Sequence, residues 1–175
     1  MVLVPEVIEA IAPIREVPVL AAGGIVTGRQ MAAAVALGAA GVWTGSVWLT
    51  TEEAETAPYT VRKMLAATSR DTVRSRGRTG KPSRQLKSGW TDAWENDNSP
   101  GALPMPLQSL ISEPALRRID VLAENGDAGA QALATYWVGQ GVGLMNKIRP
   151  ARDVVYEMAE DFFAATERLS QAAAG

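Results

Sequence analysis

Two short stretches carry the residue types from which an anion site is built: Val19-Leu20-Ala21-Ala22-Gly23-Gly24-Ile25 and Gly41-Val42-Trp43-Thr44-Gly45-Ser46. Each reads as an apolar run that ends in glycine. A glycine lets a phosphate oxygen approach the backbone closely, and amide N–H groups at a helix start donate to it while the helix dipole favours negative charge. Ser46 adds a hydroxyl, and Trp43 abuts the second turn. Either glycine turn alone could be a tight connection and nothing more. Their repetition at two successive strand ends points to a phosphate site. The chain has no histidine and no cysteine. That removes the commonest general base near neutral pH, the commonest metal ligand, thiolate nucleophiles and cysteine-ligated metal centres. The site therefore binds and orients, and neither a catalytic residue nor a metal ligand set is assigned within the chain.

The elements that must position these turns follow from periodicity. Val7, Ile8 and Ile11 share one helical face between Val4 and Ala12, with Pro5 suited to a first turn. Val17 to Ala22 is a compact apolar run of the kind buried on both faces of a parallel sheet. An alanine-rich helix is expected from Thr27 or Gly28 to Leu37, ending at Gly38, and a second buried strand from Ala39 to Thr44. A helix between two strands implies parallel pairing, as in repeated β/α units. In (β/α)8 barrels an anion site lies typically in the loops after strands seven and eight, beside a short extra helix, and Val47 to Glu53 is placed to be that helix.

After Glu52 the texture changes. A helix is expected over Tyr59 to Thr68, then a basic, turn-rich connector from Arg70 to Lys87, solvated and partly paired with the acidic last helix. Trp90 to Pro106 reads as an ordered loop, with Trp90, Trp94 and the later Trp137 as packing anchors. Helices are expected over Pro114 to Glu124 and Ala128 to Trp137, then a glycine-interrupted turn at Gly139 to Gly143. A final helix from Pro150 carries the stripe Val154, Met158, Phe162, Ala165 and Leu169. The expected organisation is a barrel segment over 1–57 and a mainly helical extension over 58–175 that packs on it.

With 47% hydrophobic and 21% charged residues in 175, the chain is expected to fold around a real core. A net charge of −2 offers no field for nucleic acid or an anionic membrane. The start, which holds Glu6 and Glu9, lacks the features of a signal peptide, and a cytoplasmic location is the expectation.

The pattern Ala21-Ala22-Gly23-Gly24-Ile25, Leu37-Gly38-Ala39, Thr44-Gly45-Ser46 and Thr51-Glu52-Glu53 resembles the nitronate monooxygenase (2-nitropropane dioxygenase) family, and the FMN-dependent enoyl-acyl-carrier reductases share it. The likeness continues through Thr79-Gly80-Lys81-Pro82-Ser83-Arg84, Gly139-Gln140 and the closing helix. It implies an α/β fold: the C-terminal portion of a (β/α)8 TIM barrel, about its last two β/α units. It implies FMN as cofactor, with Gly23 and Gly24 in the first phosphate loop and Trp43, Thr44, Gly45 and Ser46 in the second. Gln140 is a candidate for a loop that reaches flavin or substrate. Val47-Trp48 stands where the family usually has Arg-Phe, and the family's histidine base belongs to the preceding barrel half, which this chain does not match. The activity implied is oxidation of alkyl nitronates, a small-molecule substrate, using oxygen. The chain on its own is expected to be inactive and to need the missing barrel half or self-association. A silent half-barrel or interaction module, and an enoyl-acyl-carrier reductase-like enzyme, are the alternatives.

Overall fold

A computed structural model describes residues 2–175. The chain is α/β and forms two compact units, one of residues up to Glu53 together with Ile148–Gly175, the other of Ala54–Lys147. The last helix therefore belongs with the first β/α segment, whereas the sequence reading grouped everything after residue 57 into one extension.

The first unit runs α1 (Leu3–Ile11), β1 (Leu20–Ala22), α2 (Gly28–Ala36), β2 (Gly41–Trp43), a 3-10 turn (Ser46–Trp48) and, from the far end of the chain, the helix Ala151–Ala174. β1 and β2 pair in parallel, with Leu20 opposite Gly41, Ala21 opposite Val42 and Ala22 opposite Trp43. The Thr27 hydroxyl caps α2 by accepting from the Gln30 amide. The helix ends where Gly38 takes φ +96° and the Ala39 amide returns to the Ala34 carbonyl at 3.1 Å.

One face of the strand pair is covered. Ala21 is buried with Ala34 and Ala39, and Val4, Ile25 and Val42 pack against them. The other face is open, with Leu20 50% and Trp43 72% exposed. The expectation of strands buried on both faces is corrected here. The side chains alternate as a pleat requires, and the helices of this unit cover one side of it.

α2 meets the last helix at Gly28, where a Cβ would collide with the Met158 carbonyl oxygen and the Phe162 amide. The backbones touch because glycine leaves that space. Arg29 then clasps Asp161: its Nε donates to Oδ1 at 2.9 Å and its amide to Oδ2 at 2.7 Å. At the other end the Ala151 amide donates to the Glu53 carboxylate at 2.8 Å, so an acid caps the last helix where its dipole is positive. Of the expected stripe, Val154, Met158 and Ala165 are buried, Phe162 is half-buried and Leu169 is exposed.

The second unit contains α3 (Pro58–Ala66), β3 (Thr72–Ser75), β4 (Ser83–Leu86), α4 (Gly89–Glu95), α5 (Leu107–Glu124), α6 (Ala128–Leu133) and a 3-10 turn (Gln140–Leu144). Its core is Leu116, Ile119, Ala123, Ala130 and Ala134, with Tyr59, Trp90 and Leu133 packed on it. Here the sequence reading is corrected in three places. The basic stretch is an antiparallel hairpin, with Thr72 opposite Leu86 and Ser75 opposite Ser83. The expected loop after Trp90 begins as α4, whose Ser88 hydroxyl accepts from the Thr91 amide. α5 starts at Leu107 and passes through Pro114; Gln108 Nε2 and Ser112 Oγ donate to the Gly77 and Arg78 carbonyls at 2.9 and 2.5 Å and hold its first two turns.

Arg78, at the hairpin bend, shows how a basic residue enters this core. Its side chain is 7% exposed; Nε donates to Glu113 at 2.8 Å, and the guanidinium carbon lies 3.8 Å from the centre of the Trp137 ring. A bidentate carboxylate and an aromatic face replace part of the water it has lost, and Nη1 stays buried without a hydrogen-bond partner.

Candidate functional site

The parallel register fixes the relation between the two glycine turns. Since Ala22 lies opposite Trp43, Gly23-Gly24 and Thr44-Gly45-Ser46 leave the sheet at the same ends of neighbouring strands. This is the carboxyl end, where α/β folds hold their ligands.

Gly23 and Gly24 have φ of +108° and +72°. Their backbone alone demands glycine. Gly45 differs: its φ is −124°, and a Cβ built on it meets nothing within 4 Å. Neither backbone conformation nor packing within the chain calls for glycine at that position.

Two side chains to which sequence reasoning gave no role hold the turns in place. Gln30 Oε1 accepts from the amides of Val26 and Thr27 at 2.8 and 3.1 Å, and its Nε2 donates to the Gly24 carbonyl at 3.0 Å. Trp48 Nε1 donates to the Thr44 carbonyl and hydroxyl at 3.1 and 3.0 Å. The signal for Gln30 lay in its spacing from Thr27, that of a capping box; Trp48 carried none.

These bonds change which groups can meet an anion. The Val26 and Thr27 amides go to Gln30, the Gln30 amide to Thr27 Oγ1 and the Arg29 amide to Asp161. The amides around the start of α2 are thus largely engaged, contrary to the expectation that the helix start itself would serve. The turn backbone before it, around Gly23 and Gly24, is what is left to serve. Asp161 is held below the ordinary carboxylate range, first by the Arg29 side-chain hydrogen bond, so it remains a fixed negative charge beside that helix start.

Trp43 ends β2 on the open face, and Ser46 begins the 3-10 turn that follows Gly45. Gln140 is exposed, on the 3-10 turn of the second unit. None of the residues in the glycine turns titrates near neutrality, so they can bind and orient but not move a proton. Among the described residues no group of His, Cys, Asp and Glu could hold a metal ion, and no helix is long and apolar enough to cross a membrane.

The architecture defines the class first: an α/β chain in which parallel strands alternate with helices and turn at glycines. Residues 1–161 match the nitronate monooxygenase family, and the chain belongs to that family, corresponding to its C-terminal part. It is 59% identical, over 97% of its length, to a Mycobacterium tuberculosis protein described as a monooxygenase, and 29% identical over 92% to a Bacillus subtilis protein described as a nitronate monooxygenase. It covers 44% and 43% of those two proteins, so it spans less than half of their length. Among solved structures, nitroalkane oxidase from Streptomyces ansochromogenes is similar with a TM-score of 0.76 and 27% identity, over 95% of this chain and 45% of that one. FabK from Thermotoga maritima is similar with a TM-score of 0.73 and 30% identity, over 98% of this chain and 51% of that one.

Proposed function

We propose that this chain supplies the phosphate end of an FMN site in an oxidoreductase that oxidises alkyl nitronates with oxygen. β1 and β2 are then the last two strands of an eight-stranded barrel whose other strands come from outside these residues. The open face of the strand pair, with Leu20 and Trp43 exposed, supports that reading. It is an apolar surface of the kind a barrel interior covers.

The observation that carries the assignment is Gly45. Its glycine is needed neither for φ nor for packing, and a phosphate that must reach the backbone is a reason for it. The residues fit the group on that count. The backbone of Gly23, Gly24 and Gly45 and the Ser46 side chain would hold the phosphate. Gln30 and Trp48 keep the two turns in shape through the bonds they make to Gly24 and Thr44. FMN, when bound, supplies the redox chemistry, and the protein's part is to anchor and orient. No group in the glycine turns can act as a base, so the chain alone is inactive and the base comes from the rest of the barrel. The compartment proposed is the cytoplasm.

The test compares the chain alone with a fusion that carries the N-terminal part of the Mycobacterium tuberculosis relative. Flavin absorbance after gel filtration and anaerobic flavin bleaching by an alkyl nitronate are read on both. The fusion should retain FMN and be reduced, and the chain alone should show no nitronate oxidation. Turnover by the chain alone refutes the division of labour, and a folded fusion without flavin refutes the site.

A further inference from the structure

Lys63 lies in the last turn of α3, half-buried, and its Nζ donates to the Ala134 carbonyl oxygen at 2.6 Å. That neutral acceptor is its one partner among the described residues. The amine lines a cavity of about 410 Å³ that also has Ala66, Ala67 and Leu86 in its wall. The charged groups facing this cavity are Asp71 before β3, Lys87 after β4 and Asp92 on α4. The Asp71 carboxylate is already engaged, accepting from the Thr68 amide and hydroxyl at 2.7 Å each. Burial pushes the Lys63 ammonium below the ordinary lysine range, because the charged form has lost water and gained no bonded carboxylate. A larger share of Lys63 is therefore neutral near physiological pH than of a solvated lysine.

We propose that Lys63 is an acylation site, whose amine attacks a small activated acyl group, an acyl phosphate or a thioester, that enters this cavity. The nitrogen lone pair forms the C–N bond. The bond from the acyl carbon to phosphate oxygen or thiolate sulfur breaks with its electron pair on the leaving group, and the proton shed by nitrogen passes to that group or to water. Nothing is oxidised or reduced. The product suits the site: acylation removes a charge that the fold solvates poorly, and Ala66, Ala67 and Leu86 offer the acyl chain an apolar wall. Lys81 and Lys147 are exposed, are not in the wall of this cavity and provide internal references in the same molecule.

The experiment treats the folded chain at neutral pH with acetyl phosphate, and in a second arm with an acetyl thioester of N-acetylcysteamine, and reads the rate at each lysine by peptide mass spectrometry. Lys63 should react several-fold faster than Lys81 and Lys147 with at least one reagent, and the responding arm names the donor. The lead should vanish in denaturing urea and shrink as the pH passes the ordinary lysine value of 10.5, where every lysine is neutral. Lys63→Arg should remove the main adduct. Ala67→Leu, which narrows the cavity, should slow Lys63 and leave Lys81 unchanged. Equal rates at Lys63 and Lys81 in the folded chain overturn the proposal. So does a lead that survives in urea, or a Lys63 rate unaffected by Ala67→Leu.

Discussion

Replacing Gly45 separates what the fold needs from what a ligand needs. Because φ at Gly45 is −124° and nothing lies within 4 Å of the place a methyl group would take, alanine should be accepted without strain. Where the native conformation suits both residues, glycine to alanine stabilises by about 0.4–1 kcal/mol through the unfolded chain. Gly45→Ala should therefore melt at or slightly above the parent temperature. In the fusion with the relative's N-terminal part it should bind FMN more weakly, since the methyl stands where phosphate must approach the backbone. Gly45→Asp adds charge to bulk. One unit of like charge at about 4 Å costs roughly 4 kcal/mol at an effective dielectric near 20, which is close to a thousandfold in affinity. Quenching of FMN fluorescence on titration measures the binding, and circular dichroism on heating measures the fold. Undiminished FMN affinity in both variants would refute the site. A large loss of melting temperature in Gly45→Ala would refute the claim that the chain itself has no use for glycine there.

Three further outcomes are expected. Gly28→Ala puts a methyl into the Met158 carbonyl and Phe162 amide and should destabilise the first unit by about 1–3 kcal/mol, as overpacking does; an unchanged urea midpoint would show that the last helix is free to move aside. Asp161 is lowered in the folded chain from the ordinary 3.8, so its contribution is present above that value and is lost as the pH falls through the lower folded value. Urea midpoints of the parent should drop over that acid window relative to those of Asp161→Asn, and parallel profiles would contradict this. Glu113→Gln strips the bonded counter-charge from a guanidinium that is 7% exposed, while Glu113 itself is 29% exposed, and should cost about 1.5–3 kcal/mol, as loss of a hydrogen bond to a charged group does; calorimetry showing no loss would mean that Trp137 and the nearby Asp120 suffice for Arg78.

Much of the first unit was legible because its signals are local. The apolar face of α1, the Thr27 and Gly38 ends of α2 and the parallel pairing across an intervening helix follow from spacing within a few turns of chain. The same holds for the paired glycine turns, and for most of the stripe on the last helix. The hairpin was not legible. Thr72–Ser75 and Ser83–Leu86 carry arginines and polar residues with no apolar alternation, and they become strands because each completes the other's backbone hydrogen bonds.

What the sequence by itself determined is therefore composition and local form: no histidine, no cysteine, helices with their caps, and glycines at two strand ends. Tertiary structure decided which of those glycines serve the backbone and which leave space. It also seated Asp161 on the amide of Arg29, 132 residues earlier, and so turned the start of α2 away from an anion. It buried Arg78 against Glu113, 35 residues on. The physical reason is common to these cases. A buried charge or an amide at a helix start must find a partner, and that partner can come from any part of the chain the fold brings within hydrogen-bonding distance.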